Sequence, residues 1–292
     1  MKWQGWLRAL GTHAELNFLL TNRIPRLWVT RAVGRLSRIE HPWVFRALMG
    51  IWKAFTPIDL SEAAEGEYRS LRDVFTRRLR PGARPICADP NVLVSPCDGL
   101  LGACGQITAG QVVQAKGMPY RLAELLDDPE LAAHFDGGIY ATLRLTSAMY
   151  HRLHAPRACR VEGVVHHQGD TWNVNPPALA RVERLFCRNE RAVLKCRDAD
   201  TDIPFLLVPV AAIAVACLRL DCIPFLLDID YRGTRQFTCA RDYARGQELG
   251  WFEQGSTVIV LVPAGWSLAP GLSAGVRLRM GEPLLRLAGL PI

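Results

Sequence analysis

Residues 248–265 read ELGWFEQGSTVIVLVPAG, and the unbroken apolar run from Val258 to Val262 decides the fold. A short β-branched and aliphatic run bounded by Gly, Ser and Pro reads as a strand buried on both faces. Directly against it stand Gly255, Ser256 and Thr257, small and polar. Two readings of that junction are open. Gly and Ser punctuate strands everywhere as turns. Alternatively the Gly255–Ser256 peptide bond is itself reactive, because a residue without a Cβ can take the strained geometry that brings the Ser256 hydroxyl against the Gly255 carbonyl carbon.

Similar runs precede it from about residue 91 onward: NVLVSPCDGLLGACGQI, GIYATLRL, RVEGVVHH, RAVLKCRD and FLLVPVAAIAVACLRL, separated by Gly, Pro and Asp. Before them, SLRDVFTRRL reads as a short helix leading into the linker PGARPI, and RLAELLDDPELAAHF reads as a helix. Residues 1–57 read as helices interrupted at Pro25 and Pro42. The predicted class is α+β, with N-terminal amphipathic helices followed by a mostly antiparallel, β-rich core, and the predicted division is 1–57 and 58–292.

The charge is uneven. Residues 1–57 carry nine Lys and Arg against Glu15 and Glu40, which accounts for the whole formal net charge of +7. Five of the eight tryptophans (Trp3, Trp6, Trp28, Trp43, Trp52) lie there too. On a helical wheel Arg31, Arg35 and Arg38 oppose Val29, Val33 and Leu36. A basic amphipathic helix with interfacial Trp predicts a segment lying on an anionic membrane surface; its plainer alternative is a helical arm packed on the core with a solvated basic face. No nucleic-acid-binding signature accompanies the arginines, so nucleic acid is not an expected partner. The longest apolar run, Ile203 to Leu218, has 16 residues and two prolines, too short to span a bilayer. No cleavable signal is apparent at the start. Nine cysteines without a C-x-x-C pair predict neither a disulfide framework nor a zinc site.

Three places interrupt the apolar patterning with reactive side chains. Asp98 lies in SPCDGL, where an Asp-Gly turn alone would explain it. His151 and His154 lie in MYHRLHAP, three residues apart, as an acid/base pair or metal ligands; no third ligand cluster accompanies them, so no metal is expected. The third is Gly255-Ser256. The chain order Asp98, histidine, Ser256 occurs in one type of serine hydrolase, which makes a Ser/His/Asp lipid hydrolase the alternative. Its G-x-S-x-G elbow is missing, since residues 253–257 read EQGST.

Taken together and in order, SPCDG, QAKGMPY, YHRLHAP, GDTWNVNP, LFCRNERAVL and GQELGWFEQGSTVIVL resemble the bacterial, membrane-associated phosphatidylserine decarboxylase proenzyme family. The resemblance runs from IPRLWVTRAVGRLSR, near residue 24, almost to the C-terminus, and departs at Gln254, where that family commonly has leucine. It implies that Asp98 orients and charges His154, and that His154 takes the Ser256 proton as Ser256 attacks the Gly255 carbonyl. Elimination and hydrolysis then leave a β chain, residues 1–255, and an α chain, residues 256–292, headed by a pyruvoyl group derived from Ser256 and able to form a Schiff base with the headgroup amine. His151 is implied as proton donor during conversion of phosphatidylserine to phosphatidylethanolamine and CO2. A homodimer and a peripheral place on the cytoplasmic face of the inner membrane are implied as well. Lysine scarcity points the same way: only Lys2, Lys53, Lys116 and Lys195 occur, and Lys116 alone is worth naming as a pyridoxal phosphate anchor.

Overall fold

The computed structural model describes residues 14–115, 118–214, 217–253 and 257–288. Its centre is an eight-stranded antiparallel sheet. The strands run in the order Gln236–Tyr243, Cys159–His167, Arg191–Asp198, Pro204–Val210, Thr257–Val262, Ile139–Arg144, Gly99–Gln106 and Arg277–Leu278. The run that decided the class sits in the middle of this order. Thr257 pairs with Val210 on one side and Arg144 on the other, and the pairing continues along both neighbours. Its side chains alternate between two cores: Val258, Val260 and Val262 pack in one cluster, while Ile259 and Leu261 pack in the other. A strand covered on both faces has no polar alternation, which explains its continuous apolar sequence.

Beside this sheet, a three-stranded sheet pairs Val92–Val94 and Trp266–Leu268 with Pro283–Leu287, and a four-stranded one joins Leu226–Asp228, Cys217–Leu220, Glu248–Phe252 and Arg152–His154. The expected helix over RLAELLDDPELAAHF is two short helices, Leu122–Leu126 and Pro129–Ala133. Asp127 at φ 52° ends the first and Pro129 starts the second, so the left-handed residue and the proline together break the periodic run.

The N-terminal arm is helix α1 (Ala14–Asn22), α2 (Arg26–Ser37) and α3 (Pro42–Phe55), broken at Pro25 and Pro42 as expected. A short α4 (Leu71–Phe75) follows, with a complete Ser70/Asp73 capping box. No helix among the described residues is long and apolar enough to cross a membrane.

The arm departs from the expected polarity. Arg26 pairs with Asp170, its Nε donating over 3.1 Å, and lies over the Trp172 ring. Arg31 pairs with Asp230 at 2.8 Å and Arg38 with Glu253 at 2.7 Å. Three arginines of α2 and its C-cap therefore face carboxylates of the core. The arm's outward apolar residues include Trp28, Leu36, Ile39, Trp43, Ile51 and Phe55, with Trp28 and Trp43 more than 70% exposed. Guanidinium groups that find protein carboxylates are not left for solvent, and the docked α2 leaves Leu27, Trp28 and Leu36 exposed beside Arg35 while Val29 and Val33 are half-buried.

Candidate functional site

Gly255 and Ser256, the expected cleavage step, lie outside the described residues, as do Gln254 and Lys116. Their surroundings are described on both sides. Upstream, Glu253 is buried between two helices of the N-terminal half. Arg38 donates to one carboxylate oxygen, and Arg72 Nε stands 2.8 Å from the other without hydrogen-bond alignment. Downstream, Thr257 opens the central strand. The Phe252 N–H donates to the His151 carbonyl over 2.9 Å, so the backbone of the histidine motif is bonded to the segment entering the Gly-Ser step.

His151 is fully buried. Its Nδ1 lies 2.7 Å from the Met149 carbonyl oxygen. A carbonyl only accepts, so Nδ1 carries the hydrogen and Nε2 holds a free lone pair. That Nε2 atom is buried without a hydrogen-bond partner, an unusual cost for a stable interior and a mark of a group kept open. Burial, with help from the Arg77 guanidinium, pushes the His151 pKa down to about 4. Arg77 is itself buried, and it donates to the carbonyls of Val74, Ala148 and Met149 instead of to a carboxylate. The Phe75 ring meets His151 edge-on, with centroids 5.5 Å apart, and stacks on Trp52 of α3.

His154 is held at both ring nitrogens. Nδ1 donates to the Gly246 carbonyl over 2.9 Å. Nε2 therefore accepts, and the Tyr150 hydroxyl donates to it over 2.9 Å. Burial holds the His154 pKa below its ordinary value. Gly246 takes φ 77°, and a Cβ there would stand 2.0 Å from Ile86 Cδ1; only glycine presents this carbonyl to the imidazole.

Asp98, expected to engage His154, does not hydrogen-bond to it. Its carboxylate accepts two hydrogen bonds from Arg84, 2.8 and 2.6 Å, and one from the Met280 N–H at 2.9 Å. Both members are buried, and a buried guanidinium captures the carboxylate that can meet it with two parallel bonds. The Arg84 group also lies over the Tyr150 ring, at 6.0 Å from its centroid. Asp98 acts on both histidines through its charge, which raises their pKa values against the dominant effect of burial. The structure thus places the three described candidates in one neighbourhood and links Asp98 to His154 through Arg84 and Tyr150. Neither residue was singled out by the sequence reading. Tyr150 stands beside His151 in the motif, but Arg84 sits in a stretch that reads as linker.

A serine-hydrolase triad needs the carboxylate on the histidine nitrogen opposite the serine. Here one nitrogen of His154 serves the Gly246 carbonyl and the other the Tyr150 hydroxyl, so the hydrolase alternative lacks its geometry. Among the described residues no cluster of His, Cys, Asp and Glu could hold a metal ion.

Fold and site together define a class: an α+β protein with two buried histidines built against the strand that leads into a Gly-Ser bond. The chain belongs to the phosphatidylserine decarboxylase family, whose profile matches residues 71–286. It is 40% identical over 267 residues to the phosphatidylserine decarboxylase proenzyme of Anaeromyxobacter sp. strain K, covering 89% of this chain and 94% of that one. It is 37% identical over 287 residues to the proenzyme of Chromobacterium violaceum, covering 93% and 99%. Identity to the Halorhodospira halophila proenzyme is also 37%, over 288 residues, with coverage of 94% and 93%.

Proposed function

We propose that this protein is a self-processing decarboxylase that cuts its own chain between Gly255 and Ser256 and acts on phosphatidylserine. The observation that supports the reading is where the residues flanking the Gly-Ser step lie. The residue after it opens the central strand, and Phe252, just before it, is hydrogen-bonded to His151. A cut there leaves a 37-residue fragment, residues 256–292, held by a strand paired on both sides.

Ser256 Oγ attacks the Gly255 carbonyl carbon and gives its proton toward the Tyr150–His154 pair; the Gly255 C–Ser256 N bond breaks as the proton is returned to the departing nitrogen, and the amide becomes an ester. Two neutral imidazoles suit proton transfer near neutral pH, since each offers a lone pair without first losing a proton. The surroundings fit a ketone at position 256 better than pyridoxal. The described lysines, Lys53 and Lys195, are respectively exposed and paired with Asp128 at 3.7 Å, whereas His151 Nε2 and Thr257 Oγ1 are buried and open. A pyruvoyl group there supplies the electron sink that decarboxylation of an amino acid requires. His151 holds and delivers the proton that replaces CO2. Its low pKa keeps it neutral until an anionic substrate arrives and favours the imidazolium.

The arm, residues 1–57, associates with the membrane through the exposed apolar residues of α2 and α3, assisted by the exposed Arg23, Arg35, Arg46 and Lys53. On this reading the protein is peripheral, on the cytoplasmic face of the inner membrane. Pairing of two copies belongs to the same proposal and is checked by the mass of the detergent-solubilised protein.

The decisive test is the intact mass of the purified protein together with CO2 release from phosphatidylserine. The expected result is two chains split at 255/256, and Ser256→Ala abolishes both the small chain and turnover. An active protein in one piece overturns the proposal.

A further inference from the structure

Two cavities, of about 550 Å³ and about 490 Å³, share one residue of the central sheet: Arg144 lines both. The first lies under the arm, between Leu48, Trp52 and Phe55 of α3, Phe75 of α4 and the core. The second is walled by Leu101, Gln114, Leu179 and Phe186. Arg144 has no carboxylate, carbonyl or ring partner among the described residues. Most other partly buried arginines here do: Arg26, Arg84, Arg152 and Arg157 each pair with a carboxylate. Burial disfavours its charge, so the guanidinium is held at a cost without a counter-ion among the described residues.

Two hydroxyls share its side of the sheet. Thr257 is the strand neighbour of Arg144, and Thr142 pairs with Ile259; alternate residues along each strand share a face. Both threonines line the second cavity, are at most 3% exposed, and have an Oγ1 without a hydrogen-bond partner. Unsatisfied buried hydroxyls beside an unpaired guanidinium form a set of donors lacking an acceptor.

We propose that Arg144, with the hydroxyls of Thr142 and Thr257, binds the phosphodiester of the glycerophospholipid whose headgroup reacts at position 256. This rests on the decarboxylase reading. In a phosphoserine headgroup the amine and phosphorus are a few bonds apart, close to the ~4.8 Å that separates neighbouring strands. Thr257, the next residue in the chain, is paired with Arg144, so a headgroup of that span reaching the amine's reaction point can set its phosphate beside the adjoining strand at Arg144. The acyl chains run through the larger cavity toward Ile51 and Phe55, which line it and are exposed. The phosphate is the better ligand for chemical reasons too. A guanidinium on the departing carboxylate would stabilise the ground state and slow CO2 loss, whereas the phosphodiester keeps its charge throughout.

The test uses the full-length processed protein, with Arg144→Met, Arg144→Lys and Thr142→Val. Dihexanoyl phosphatidylserine serves for kinetics. Equilibrium binding uses dihexanoyl phosphatidylglycerol, which has the phosphodiester but neither amine nor carboxylate. Arg144→Met is expected to raise KM and weaken phosphatidylglycerol binding by the same factor, roughly 10- to 100-fold for a lost charge-assisted contact. Arg144→Lys should fall between, keeping the charge and losing the fork, and Thr142→Val should weaken binding in the same direction. Phosphatidylglycerol affinity that Arg144→Met leaves unchanged overturns the assignment. A rise in KM for phosphatidylserine alone does so as well, because it moves Arg144 to the carboxylate. Should Arg144→Met fail to fold or process, Thr142→Val decides: undiminished phosphatidylglycerol binding sinks the subsite. Failure of the decarboxylase reading is separate, since it appears in the wild type as an uncut chain without CO2 release.

Discussion

The Tyr150 hydroxyl and His154 Nε2 lie 2.9 Å apart in the interior, with the opposite ring nitrogen fixed on the Gly246 carbonyl. The imidazole is therefore locked in one tautomer, and its only basic atom is covered by a phenol whose own pKa burial pushes up. Proton transfer from Ser256 must go through or past that hydroxyl. Tyr150→Phe leaves Nε2 without a donor and loosens the ring, at a cost of about 1–3 kcal/mol. Self-cleavage, followed on a denaturing gel after synthesis, is expected to slow at least about tenfold. Cleavage at the wild-type rate would remove Tyr150 from the site.

Asp98 and Arg84 form the most enclosed ion pair of this neighbourhood, with side-chain exposures of 2% and 7%. Removing either partner strands the other charge, and breaking a buried pair from one side costs on the order of 3–5 kcal/mol. Arg84→Met and Asp98→Asn are both expected to stall processing and to lower the urea midpoint. The double variant should be less destabilised than the sum, because no unpaired charge remains. If Asp98→Asn stalls processing while Arg84→Met cuts normally, the carboxylate acts without its arginine and the linkage described above is wrong.

How much was legible beforehand differs residue by residue. The Val258–Val262 run was readable because a strand covered on both faces leaves a composition no other element produces so compactly. Pro25 and Pro42 marked the arm's breaks because they remove backbone donors whatever the tertiary context. The histidines were visible as rare side chains at close spacing. Arg84, Arg77 and Arg144 were not, because arginine is common in this chain and its burial is decided by partners far away in sequence: Asp98 for one, backbone carbonyls for another, an open cavity for the third. A signal did exist for Arg144, a single charge inside the apolar strand GIYATLRL. Which arginines of the arm meet the core was unreadable for the same reason. A helical wheel orders residues around an axis, but which side meets the core depends on Asp170, Asp230 and Glu253, more than 130 residues away.

The exposed tryptophans of the arm change what a membrane test should find. Three arginines of the arm are engaged by the core, and Trp28 and Trp43 stand out from it. Burying an apolar side chain of this size contributes about 1.5–3 kcal/mol, and surface charge alone is screened within about 8–10 Å at ordinary salt. In vesicle flotation, raising salt is expected to weaken binding without abolishing it. Trp28→Ala with Trp43→Ala should lower binding at least about tenfold at every salt concentration. Binding that salt removes completely, and that the double variant retains, would return the basic residues to the leading role.

His151 makes stability depend on pH with a defined sign. Its folded-state pKa is about 4 against an ordinary value of 6.5, so between these values the unfolded chain holds a proton that the folded chain does not. Stability therefore rises with pH through that window, is fully present above about 6.5, and is lost as pH falls toward 4. At about 1.4 kcal/mol per pH unit of separation, this one ring removes up to ~3 kcal/mol at the acid end. His167, also pushed down to about 4 by burial, adds a second contribution of the same sign. Urea midpoints of wild type and His151→Gln, measured from pH 7.5 to 4.5, are expected to separate, the variant losing less stability on acidification because the His151 titration is gone while those of His154 and His167 remain. Parallel curves would mean that His151 is protonated in the folded protein. An imidazolium could not keep Nε2 as an open acceptor, and the proton delivered during turnover would then reside on His151 before the substrate arrives.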